Sequence, residues 1–115
     1  MSIIVRMSWP DPCLWPNRRE HYMVKSRAAA EQKQEAFIMT RNAGGTLFPV
    51  PETVPVKLIF YLPTKAKRDL DNCQAAMKHA LDGVAKALDV DDKIFRPVSE
   101  WGEPIARGRV TVIVG

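Results

Sequence analysis

Cysteine and long apolar runs are both scarce in this 115-residue chain, and each scarcity excludes something. Cys13 and Cys73 stand sixty residues apart with no closely spaced thiol beside either, which leaves no disulfide framework and no zinc knuckle. No uncharged apolar run approaches the ~20 residues of a membrane helix. The opening MSIIVRMSWPDP also lacks a basic stretch leading into a long apolar one. The expectation is a protein neither exported nor membrane-spanning, working in the reducing cytoplasm. His21 and His79 are too isolated to argue for a zinc site or for the base of a nucleophile, and ordinary surface or partly packed histidines are expected.

What is present is a globular composition, 46% apolar and 26% charged, over a length that suits one core. The reading is a single domain over residues 1–115. Seventeen basic residues against thirteen acidic ones give a net charge of +4, and the distribution is uneven. Residues 69–92 carry six aspartates against Lys78 and Lys86, a local charge of −4 that leaves +8 on the remainder. Basic surface draws polyanions, while clustered carboxylates near a phosphate chain are tolerable when a cation neutralises them.

Ile3, Val5, Met7 and Trp9 alternate with less apolar neighbours, predicting a strand over about 2–9. Pro10, Pro12 and Pro16 then require an irregular loop, which carries Arg18 and Arg19. Ser26 is read as the cap of a helix over about 24–42, stopped by Gly44 and Gly45. Val54, Val56, Leu58, Phe60 and Leu62 predict a second strand. Leu70, Cys73, Met77, Leu81, Val84 and Leu88 are spaced as one face of a helix. Segments 94–101 and 107–114 read as strands of an antiparallel hairpin, with Val110, Val112 and Val114 pointing one way. The fold class is therefore α+β, a mixed sheet with packed helices in the order β-α-β-α-β-β.

The segment KAKRDLDN enters the second helix. Residues two apart in a helix differ by about 200° of rotation, so Asp69 and Asp71 share a direction only if one sits at the cap. Asp69 is placed at the N-cap and Asp71 in the first turn, where the helix dipole favours both charges. Asp71, Gln74, Lys78 and Asp82 form a polar stripe opposite the apolar face. Lys78 can reach a phosphate from there or pair with Asp82. Asp91 and Asp92 follow the helix in a tight turn, so acids from its two ends meet only if the chain folds back. Carboxylates that do meet would hold a hard cation suited to phosphodiester hydrolysis.

SWPDP followed by NRR, then an alternating strand, RDLDN entering a helix, DGV and finally LDVDD resemble, in that order, the RusA-type Holliday junction endonucleases. The resemblance implies a RusA-like fold and a homodimeric endodeoxyribonuclease dependent on Mg²⁺ or Mn²⁺ that resolves four-way DNA junctions by paired cuts. It places the metal on Asp69, Asp71 and Asp92, with Asp91 adjacent, and implies no organic cofactor. Where the family carries a lysine four residues beyond the second aspartate this chain has Ala75, which leaves Lys78 as the catalytic lysine. Arg18, Arg19, Lys65, Lys67 and Arg68 are read as contacts to DNA phosphates. The competing reading is a branched-DNA-binding protein without catalysis. An aspartyl phosphotransferase is disfavoured, because PTKAKR separates the strand from the acids.

Overall fold

The structure is a computed structural model that describes residues 2–16, 18–19, 21–65 and 68–115. Strand β1 spans Ile3–Met7, helix α1 Tyr22–Ala43 and strand β2 Val54–Tyr61. Helices α2, Leu70–Ala75, and α3, Lys78–Ala87, follow, and strands β3, Phe95–Trp101, and β4, Arg109–Val114, close the order. Short 3-10 turns occupy Pro12–Leu14 and Asp92–Ile94. This is an α+β architecture built on a mixed four-stranded sheet, arranged β1-β4-β2-β3. Among the described residues, no helix is long and apolar enough to cross a membrane.

Alternation in the sequence becomes alternation in burial. Ile3, Val5 and Met7 are buried on β1, and Val54, Val56, Leu58 and Phe60 on β2. The expected orientation of Val110, Val112 and Val114 holds, since all three lie in the core. Helices α1 and α3 pack on each other at Gly83, where a Cβ would lie 2.3 Å from the Lys33 carbonyl oxygen. A side chain at 83 would force the helices apart.

The expected hairpin of the last two strands does not form. β3 lies parallel to β2, whereas β4 runs antiparallel between β1 and β2. Helices α2 and α3 supply the crossover that a parallel β2–β3 pair requires. Composition explains the exchange of places. β4 is almost wholly buried, but β3 carries Arg96, Glu100 and the donor-less Pro97, residues suited to a sheet edge.

Two helix boundaries also differ from expectation. Helix α1 begins before Ser26, because His21 is the N-cap, with its Nδ1 accepting from the Met23 N–H at 3.2 Å. The second helix is not continuous: α2 ends at Ala75 and α3 starts at Lys78, although the apolar spacing runs straight through. Met77 provides no side-chain cap for α3. The buried Gln32 of α1 serves both helix ends instead. Its Nε2 donates to the Ala76 carbonyl at 2.9 Å, and its Oε1 accepts the Ala80 N–H at 3.0 Å.

A leucine at position 32 keeps the volume but leaves both backbone groups buried and unpaired. We expect Gln32→Leu to lose about 2 kcal/mol of unfolding free energy in denaturant titration, the order of a lost cap plus a desolvated donor. An unchanged midpoint would show that the amide does not support the break.

Candidate metal and nucleic-acid site

Asp69 is the N-cap of α2, as expected, and its Oδ1 accepts the backbone N–H of Asp71 at 2.9 Å and of Asn72 at 3.4 Å. This uses one carboxylate oxygen to satisfy the helix start. Asp71 follows in the first turn, a position favoured by the helix dipole. It faces a cleft of about 270 Å³ together with Gln74, Lys78 and Asp92. Asp71, in the first turn of α2, and Asp92, in the turn beyond α3, thus line one concavity. Asp69 is not among the residues lining it.

The two aspartates after α3 have different tasks. Asp91 caps the following 3-10 turn, its Oδ1 accepting the Lys93 N–H at 2.9 Å, and that bond holds its carboxyl below the usual range. Asp92 stands beside Asp82 instead. Hydrogen bonding with Asp82, then burial and repulsion from Asp82, and then contact with Asp91, push the Asp92 carboxyl up to about 6. Asp82 also borders a second cleft, shared with Asp92, Lys33 and Lys86. Asp82 was visible in the sequence as the far end of the polar stripe, but nothing in its spacing linked it to Asp92. Lys33 arrives from α1 and had no sequence signal.

The break between α2 and α3 leaves Lys78 at the first turn of α3 while keeping it in the cleft with Asp71. Ala75 lines the same wall. Gln74 is anchored by Ser99 of β3, whose Oγ donates to its Oε1. The polar stripe therefore faces the edge strand β3 and the turn before it.

Among the described residues, no three His, Cys, Asp or Glu side chains are gathered closely enough to enclose a metal ion. The carboxylates on the cleft are those of Asp71 and Asp92, and Mg²⁺ sites in general use only one or two protein carboxylates and keep several waters. Asp71 and Asp92 are not a dry cage.

Of the expected phosphate-contacting residues, Arg18 and Arg68 border one cleft of about 360 Å³ with Trp9 and Trp15. Arg19 and Lys65 are exposed, and Lys67 lies outside the described residues. Cys73 is fully buried, and burial pushes its thiol up to about 11, so it is no nucleophile.

Comparison with known proteins adds little to this geometry. No family model matches the chain. An uncharacterized protein of Xylella fastidiosa is 37% identical over 91 residues, covering 77% of this chain, which spans 60% of that relative's length. A structure of IspF from Plasmodium falciparum in complex with CDP aligns with a TM-score of 0.31 and 8% identity, over 81% of this chain and 56% of the other.

The Asp82–Asp92 contact has a signed pH consequence. A carboxyl raised in the folded state binds protons more tightly there than when unfolded, so it favours folding below about pH 4 and ceases to do so as pH rises through about 6. Asp92→Asn in chelator should therefore gain thermal stability relative to the parent between pH 4 and pH 7. Because the group is exposed, the gain should be a few degrees at most. A difference between variant and parent that does not change with pH would show that the two carboxylates do not interact.

Proposed function

We propose that this protein is a metal-dependent, structure-selective endodeoxyribonuclease of RusA-like fold that resolves four-way DNA junctions. The observation that carries the reading is the shared cleft of Asp71, Asp92 and Lys78, set in a chain whose remaining surface is basic. Asp71 and Asp92 would hold a divalent cation, Mg²⁺ or Mn²⁺, with Asp69 beside them as the cap that orients Asp71. A cation bound there supplies Lewis-acid chemistry to a phosphodiester.

The chain's own groups would perform the remaining work. Lys78 offers a positive charge on the cleft wall for a non-bridging phosphate oxygen. Arg68 lies just before the acids, and Arg18 shares a cleft with it, so a strand gripped by both guanidiniums would be led toward Asp71. Arg19, Lys65 and Lys67 would extend the basic surface. A four-way junction presents equivalent strands in pairs and one chain carries one acidic set, so paired cutting calls for a twofold dimer. Two buried cysteines sixty residues apart in the sequence suit a reducing compartment, the cytoplasm.

One observation favours a second reading, a branched-DNA-binding protein without catalysis: no three-donor cluster exists among the described residues. The two readings separate in one assay on labelled synthetic junctions. Mg²⁺ should yield two symmetric nicks and chelator none, and Asp71→Asn should reduce cutting by more than about 10²-fold while sparing binding. Junction affinity should fall steeply with added salt as phosphate contacts release counterions. Binding without cation-dependent nicking would establish the non-catalytic reading.

A further inference from the structure

Trp9, Pro12, Trp15, Arg18, Pro63 and Arg68 line a cleft of about 360 Å³ separate from the acidic one. The acidic site makes no use of its aromatic wall. Trp9 is held from behind: its ring lies 6.1 Å from Phe60, edge to face, and a Cβ at Gly108 would be 3.1 Å from it. Gly108 has φ +70, so both the turn and the close approach of the indole depend on glycine there. Trp15 forms the second wall, its ring centroid 5.9 Å from Trp9 at an interplanar angle of 32°. It follows the 3-10 turn that Asp11 caps and the buried Cys13 anchors. The Trp15 carbonyl accepts the Arg18 N–H at 3.1 Å, which sets where the chain leads into Arg18.

The cleft thus joins indole and proline surface to a rim with two guanidiniums, one of them three residues before Asp71. A purely apolar ligand would make no use of the guanidiniums, and a bare phosphate no use of the indoles. A nucleotide uses both, since a base stacks on aromatic or proline surface and its phosphate takes the arginines. We propose that this cleft receives one unstacked base of a DNA strand, with the adjoining phosphate held by Arg18 and Arg68. The inference deepens the nuclease reading and rests on it for the identity of the strand as DNA. Holding one base out of its stack would fix the register of the phosphodiester presented to Asp71 and Asp92.

The test is carried out on the full chain in chelator, by fluorescence anisotropy of end-labelled oligothymidylate and of a sugar-phosphate chain of equal length without bases. The parent protein should bind the base-bearing chain about tenfold more tightly. Trp15→Ala should remove that preference and leave affinity for the baseless chain unchanged, whereas Arg68→Ala should weaken both. Equal affinity of the parent for the two chains overturns the proposal, and this arm requires no variant to fold. Thymidine monophosphate displacing the labelled chain as effectively as the oligomer overturns the assignment to a strand. Junction cutting in Mg²⁺ is scored separately. Base preference without cutting removes the nuclease reading and leaves the cleft, and cutting without base preference does the reverse.

Discussion

One buried amide organises the helices that line the acidic cleft of this protein. Gln32 lies on α1, yet it closes the end of α2 with its nitrogen and the start of α3 with its oxygen. Helix ends normally draw such partners from their own flanking residues or from water. Here the junction is buried, and Met77 supplies no cap. Gln32 therefore lets the chain change direction between Asp71 and Lys78 without leaving a donor or acceptor unpaired. The close approach of α1 to α3 at Gly83 comes from the same packing.

That arrangement gives two helix segments and one turn a common cleft. Asp71 comes from the first turn of α2, Lys78 from the first turn of α3, and Asp92 from the turn beyond α3. Asp69 and Asp91 stand next to the cleft residues in sequence but spend carboxylate oxygens on capping. The division is physical: a carboxylate that accepts backbone N–H groups is held in place and favoured as an anion, while one facing another carboxylate is not. Asp92 is in the second condition, and its carboxyl is raised by Asp82, by burial and by Asp91.

On the opposite side of the RDLDN segment, the aromatic cleft and the acidic one are linked through a few residues of backbone, with Arg68 on the first and Asp71 on the second. Trp9 and Trp15 bracket a proline-rich loop whose local sequence announces only irregularity. Its role as a wall depends on Phe60 and Gly108, which come from β2 and from the turn before β4.

The sequence by itself determined which residues alternate into the core, which segments are helical, and that Asp69 would cap the helix after β2. Those properties depend on neighbours a few residues apart, so periodicity and cap chemistry carry them. It also marked the polar stripe from Asp71 to Asp82. Only the tertiary structure decided that β4 enters the centre of the sheet while β3 takes the edge, that the second helix breaks over Gln32, and that Asp92 stands beside Asp82 on a cleft that Asp71 also lines. Strand pairing and the approach of distant turns are set by how whole faces exclude water together, and no local spacing encodes that choice.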